Sequence, residues 1–355
     1  VIRAALAPAV ATIALLLLVV AVVVVPVALT QSDPLGALST FVLGPLDTRR
    51  HLGNIIETAT PLLFTGLAVS LMFRAGMFNL GAEGAFFLGG VAATFAIFML
   101  PVPDGARATV AVLFGAVVGS LVCAIPGLLR ARFGASELVS SLMLNYAALY
   151  LGLYVVNYVL RDPTAGAMVS HKFPAAARLP QLLRGTHVHL GAVIGLLACG
   201  LGGVWLFATR WGYEARVVGA NPGFARHIGL PIAATAAAVQ WLGGLAAAAG
   251  GAIEVQGLYI RFTWDNLPGQ GWNGLVVAIL AGNNPWLVPP AALALSWLHV
   301  GGDLLALDHD VPSQVVGLIQ ALVILFATAA AITQNPRLRA WLAGRALGER
   351  GRSAT

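Results

Sequence analysis

Residues 232–255 read IAATAAAVQWLGGLAAAAGGAIEV, and this run decides what kind of fold the chain adopts. Fourteen of its 24 residues are Ala or Gly, and its first charge is Glu254, next to the end. At about 1.5 Å rise per residue such a helix is long enough to cross the ~30 Å hydrocarbon layer of a bilayer. Small residues on all its faces let neighbouring helices approach closely, as transmembrane bundles require. Gln240, Gly244, Gly251 and Glu254 fall near one face, because fourteen residues make almost four turns.

The rest of the chain follows suit. Of 355 residues, 59% are hydrophobic, 10% are charged and 41 are Gly. Mean hydropathy is +0.86. A soluble domain carries about 25% charged residues, so the composition excludes a water-soluble fold. Ten spans are expected, near 10–29, 54–73, 78–100, 108–129, 137–160, 190–209, 232–255, 272–281, 286–300 and 313–333, in an all-α polytopic domain covering 1–355. The first has only Arg3 before it and no small-residue cleavage site, so it reads as a retained span rather than a signal peptide. The eighth and ninth are short and broken by Gly282-Asn283-Asn284-Pro285. Interrupted segments are tolerated at membrane depth only inside protein or beside a cavity, so this pair is expected within the bundle.

Charge orients the chain. Twelve arginines, opposed only by Glu214 and Glu349, fall on the side holding the N-terminus, the Arg74 turn, the Arg130/Arg132 turn, residues 210–231 and the tail 334–355. The other side balances eight basic residues against eight aspartates. Positive charge marks the cytoplasmic face, so both termini are expected there, and the formal charge of +6 reflects orientation in a lipid membrane rather than nucleic-acid binding.

Several chemistries are excluded. The single lysine, Lys172, is followed by Phe173, so no phosphate-binding GxxxxGK[ST] loop exists in this chain. Cys123 and Cys199 lie in apolar runs and read as filler. His187 and His189 are the only closely spaced histidines, and no metal site is expected. No nucleophile–base pair stands at membrane depth, so no catalytic residue is expected. No span carries a series of ionisable side chains that would relay protons, which weighs against the alternative of a stand-alone ion-coupled secondary transporter.

Polar side chains inside spans mark either solute lining or helix cross-links. Asn79 and Glu83 are four apart and share a face at the start of the third span. Glu137, Ser141 and Asn145 form a stripe on the fifth. Glu57, Glu137 and Glu254 stand near span ends, where solvation would also explain them. Trp272 and Asn273, at the mouth of a half-helix, suit stacking on and hydrogen bonding to a flat polar ligand, or membrane anchoring. Residues 74–81 and 269–274 are both Gly-rich with one Asn and enter from opposite faces. That echo is either chance or an inverted repeat of spans two to five against seven to ten.

Between spans, Asn221-Pro222 has the N-cap and first-position residues of a helix, and Gly229-Leu230-Pro231 ends it. The pattern from Glu214 through Arg216, Gly219, Asn221, Pro222 and Arg226 to Gly229 resembles the ATPase-contacting loop of permease subunits in ATP-binding-cassette importers, in the branch handling branched-chain amino acids, simple sugars and nucleosides. Gly76-Met77-Phe78-Asn79-Leu80-Gly81-Ala82-Glu83-Gly84 is similar to the GLFNIGAEGQ signature of the nucleoside permeases. Residues 133–137, 142–146 and 278–285 resemble further family segments in order, and the resemblance runs from Glu57 to Thr333. Ala85 departs from it, standing where the family has Gln.

The resemblance implies a permease subunit of a bacterial inner membrane that imports a nucleoside or similar polar solute (purine-like, riboflavin or a simple sugar) by alternating access. Its implied partners are a cytoplasmic ATPase that binds ATP and Mg, a second homologous permease and a substrate-binding lipoprotein, with no cofactor in this chain. Asn79, Glu83, Asn145, Trp272 and Asn273 are the candidate pathway residues. Glu214, Arg216, Gly219, Asn221, Pro222, Arg226 and Gly229 are the candidates for coupling.

Overall fold

A computed structural model describes residues 33–325 except 184, 310, 313, 319, 323 and 324. The expected span at 10–29 and tail at 334–355 lie outside the described residues, as does most of 313–333. Among the described residues the chain is predominantly helical, with isolated bridges but no extended strand. The α-helices are α1 (Pro34–Asp47), α2 (Arg49–Arg74), α3 (Ala82–Met99), α4 (Asp104–Phe133), α5 (Glu137–Tyr158), α6 (Gly191–Ala208), α7 (Arg210–Ala220), α8 (Pro222–His227), α9 (Ile232–Leu258), α10 (Gln270–Leu280) and α11 (Val288–Asp308). Among the described residues, seven helical stretches are long and apolar enough to cross a membrane, namely α2 to α6, α9 and Pro285–Asp308. The chain is an all-α, multi-pass membrane protein.

Two compact units divide it, with the boundary inside α11 at Ser296 and Trp297. In the smaller one, Ala37 of α1 shares an apolar core with Leu305, Val311 and Val316. Trp297 Nε1 donates to the Val42 carbonyl at 3.2 Å. The ninth span expected at 286–300 runs on to Asp308. Gly301 and Gly302 do not end it, because the space a side chain would fill there holds the Phe41 backbone and the Gln320 side chain.

In the larger unit, Thr48–Ser296, α2 and α3 are the interior helices, each 83% buried over its most apolar stretch, against 33–39% for α4, α5, α6 and α9. Polar and small residues are as buried here as large ones. The Ala/Gly composition of α9 has a direct reading at Gly251, where any Cβ would strike the Phe86 carbonyl oxygen of α3. Helix ends follow local chemistry. The Thr48 hydroxyl caps α2 by accepting from His51 N at 3.1 Å, and Gly134 stops α4 at φ +68° because only Gly adopts the left-handed turn without strain.

Candidate functional site

The segment between α2 and α3, residues 75–81, is not helical. A non-helical backbone packed inside protein needs hydrogen-bond partners, and the polar residues singled out above supply them. Ser141 Oγ accepts from Leu80 N at 3.1 Å, and Asn145 Nδ2 donates to Leu80 O at 3.0 Å. Asn145 Oδ1 accepts from Gly84 N at 3.0 Å. The i, i+4 stripe on α5 is therefore a zipper along this segment and the first turn of α3.

Asn79 is fully buried and uses both ends of its amide. Its Oδ1 accepts from Gly81 N at 2.7 Å, and its Nδ2 donates to Cys123 O at 2.8 Å and to Gln240 Oε1 at 2.7 Å. Gln240 Nε2 donates in turn to Glu137 Oε1 at 2.8 Å, and the other oxygen of Glu137 receives Arg130 at 2.7 Å. A continuous chain thus runs from the half-exposed Arg130 through Glu137 and Gln240 to Asn79. Charge-assisted bonds of this kind are shorter and stronger than neutral ones. Sequence reading found the stripes but not the chain that links them. Its one local signal is the pairing of Arg130 with Glu137 across the Gly134 turn.

Glu83 is 1% exposed and meets the second Gly-rich segment. Its Oε1 accepts from Gly269 N at 2.6 Å, and its Oε2 from Gly271 N at 2.5 Å and Trp272 N at 3.3 Å. These amides open α10, whose N-terminus carries partial positive charge and unpaired donors. Gly269, at φ +81°, has no side chain to cap the helix, so Glu83 caps it from α3. The structure thus joins the second Gly-rich segment to the first turn of α3, directly after the first one. Trp272 is 44% exposed and Asn273 half-buried. Asn79, Glu83 and Asn145 are buried, with protein partners.

The candidate coupling residues form two short helices. The Thr209 hydroxyl caps α7 by accepting from Gly212 N at 3.1 Å. Residues 210–220, outside the helix that the sequence predicts from Asn221, are helical because Gly212, Ala215 and Val218 recur at helical spacing and are buried. Asn221 Oδ1 accepts from Phe224 N at 3.0 Å, and Pro222 occupies the first turn of α8. The helix ends at His227, two residues before Gly229, which takes φ +79°. Arg216 lies over the Phe207 ring at 5.2 Å, and Glu214 is half-buried. At Gly219 a Cβ would stand 2.2 Å from the Arg74 carbonyl oxygen and close to Gly76, so α7 rests directly on the start of the 75–81 segment. A cavity of about 400 Å³ opens there, lined among others by Gly76, Arg130, Glu137, Gly219, Pro222 and Arg226. Among the described residues no cluster of three or more His, Cys, Asp or Glu could hold a metal.

Residues 51–328 match the family model for the permease component of the branched-chain amino acid transport system. The chain is 34% identical to the glucose ABC transporter permease protein TsgB13 of Haloferax volcanii, over 83% of this chain and 80% of that one. It is 32% identical to the guanosine ABC transporter permease protein NupP of Bacillus subtilis, over 78% and 80%. A second guanosine ABC transporter permease protein of that organism, NupQ, is 25% identical over 72% of this chain and 83% of its own length.

Proposed function

We propose that this chain, which belongs to the family of branched-chain amino acid transport system permease components, is the membrane-spanning subunit of an ATP-driven importer for a nucleoside or a similar polar solute. Support for the solute class comes from the guanosine permease of Bacillus subtilis. Support for a pair of unlike permeases comes from NupP and NupQ, two guanosine permeases of one organism that both resemble this chain. The remaining partners in this reading are a cytoplasmic ATPase, which holds ATP and Mg, and a substrate-binding lipoprotein. This chain would supply no catalytic group.

The observation that carries the mechanism is the contact of Gly219 with residues 74–76. Force on α7 and α8, applied by the closing ATPase through Glu214, Arg216, Asn221, Pro222 and Arg226, would pass into a segment whose far end holds Asn79 and, through Glu83, the start of α10. The backbone of Gly219 already touches the backbone of residues 74–76, so displacement at that contact passes on directly, because atoms in van der Waals contact cannot approach further. Trp272 and Asn273 would face the solute, while Asn79, Glu83 and Asn145 would hold the walls of the passage in place as it alternates between the two sides. Both termini would lie in the cytoplasm of a bacterial cell.

The test is uptake of radiolabelled guanosine by proteoliposomes containing the full complex, with glucose and riboflavin as competitors. ATP-dependent accumulation competed by other nucleosides is the expected result. Accumulation by this chain alone on an ion gradient would refute the reading, and competition by glucose alone would move the solute to the sugars.

A further inference from the structure

The chain has six tyrosines, and four of them, Tyr146, Tyr150, Tyr154 and Tyr158, stand at four-residue intervals on α5. Their exposures are 55, 69, 59 and 78%. The opposite face of α5 is the buried one, with Glu137, Ser141, Asn145 and Gly152. The tyrosines therefore form a slanting aromatic stripe along a membrane span, turned away from the rest of the larger unit. Tyr154 and Tyr158 lie ring against ring, with centroids 5.0 Å apart.

Lipid does not suit this face. The 22 residues of α5 rise about 33 Å, roughly the whole hydrocarbon thickness. Tyr158 can sit at an interface, where tyrosine is commonly found. Tyr146 and Tyr150 lie nine and thirteen residues from Glu137, about 14 and 20 Å along the axis, near the middle of the layer. Their hydroxyls would be stranded in hydrocarbon, where an unpartnered polar group is costly, and none has a hydrogen-bond partner among the described residues. A tightly packed helix seam does not suit the face either. Such seams are built from small residues; Ser141, Ala148 and Gly152 of α5 are on its buried side, and the exposed Ala147 stands among four large rings. Large aromatic faces with free hydroxyls fit water and a planar solute.

We infer that Tyr146, Tyr150 and Tyr154 line the aqueous passage for the solute and offer it a ladder of stacking faces, with their hydroxyls hydrogen-bonded to the water around it. Stacking on aromatic rings binds any flat base and lets it move from ring to ring, which suits conduction better than one tight site. The solute part of the inference rests on the nucleoside reading above; the placement of the stripe in water does not.

Single substitutions Tyr150→Cys and Tyr154→Cys in the full complex test it, since the native Cys123 and Cys199 are 0 and 1% exposed. Leu201→Cys on α6, at a site 70% exposed in the middle of another span and flanked by the exposed Leu197 and Val204, serves as the reference on a wholly apolar face. A charged, water-soluble methanethiosulfonate is expected to modify the two α5 variants at least about ten-fold faster than the α6 variant, and guanosine is expected to slow that reaction. Tyr150→Phe should keep the KM for guanosine within about two-fold, whereas Tyr150→Leu should raise it about ten-fold, as loss of one stacking contact would. Modification of the α5 variants no faster than the α6 reference overturns the inference. So does fast modification unaffected by guanosine in a complex that transports guanosine. If the complex does not transport guanosine, the nucleoside reading falls, and the labelling rates alone still decide whether the stripe lies in the passage.

Discussion

Replacing Glu83 tests whether one side chain closes the junction between α3 and α10. Three backbone N–H groups, those of Gly269, Gly271 and Trp272, end on its carboxylate, and its 1% exposure leaves them no ready access to water. Leaving a buried donor unsatisfied costs about 1–3 kcal/mol. Glu83→Ala strands all three, and with water recovering part of the loss the expected cost is roughly 3–6 kcal/mol. Glu83→Gln behaves differently. Its oxygen can stay with Gly271 and Trp272 while its NH₂ faces Gly269 N–H, so one donor is stranded and the cost is roughly 1–3 kcal/mol. At about 2 °C per kcal/mol for a long chain, the Ala variant should melt roughly 6–12 °C below wild type, and the Gln variant should fall between the two. The assay is the thermal midpoint of the full chain in detergent, followed by tryptophan fluorescence, with membrane insertion checked separately. An Ala variant as stable as wild type, or indistinguishable from the Gln variant, would refute the capping role.

Three further outcomes follow from the geometry. Gly219→Ala places a methyl group against the Arg74 carbonyl; overpacking of this kind costs about 1–3 kcal/mol, so uptake by the complex should fall about ten-fold while membrane insertion is retained, and an unchanged uptake rate would count against the contact. Asn79→Ala and Gln240→Leu share one hydrogen bond of 2.7 Å, so their destabilisations should be non-additive by roughly 0.5–3 kcal/mol in a double-mutant cycle; strict additivity would break the proposed chain. Burial pushes His189, in the segment before α6, down to about 4, and its Nδ1 accepts from Gly191 N at 3.2 Å, a bond that a protonated ring cannot make. The unfolded chain takes up this proton near pH 6.5 and the folded one only near pH 4, so this contribution is complete above about pH 6.5 and is lost on acidification towards pH 4, by about 3 kcal/mol at most. Thermal midpoints of wild type and His189→Gln across that range should converge as the pH falls, and parallel curves would contradict the assignment.

Helix α8 of the candidate site was legible because its signals are local. Asn221-Pro222 announces the start of α8, since an amide oxygen three residues before a free backbone N–H caps it wherever the chain goes. The helix at 210–220 was not legible. Its polar composition resembles a link between spans, and its buried face of Gly212, Ala215 and Val218 gains meaning only against α6 and the end of α2. The tyrosine stripe is plain in the spacing of α5, but its exposure is not. In a span with polar groups on both faces, hydropathy does not say which one is covered.

The sequence by itself determined the medium, the helical class and the kinship. About 20 apolar residues at a time, with so few charges, admit only backbone-satisfied helices in lipid, and the ordered motifs from Gly76 to Pro285 carry the family. Tertiary structure alone decided what each polar group does. Glu83 finds its donors 186 to 189 positions away, and Asn79 meets Gln240 at 161. Hydrogen bonds between remote segments depend on how helices pack, and packing here is governed by where glycines let backbones touch, which helical periodicity does not encode.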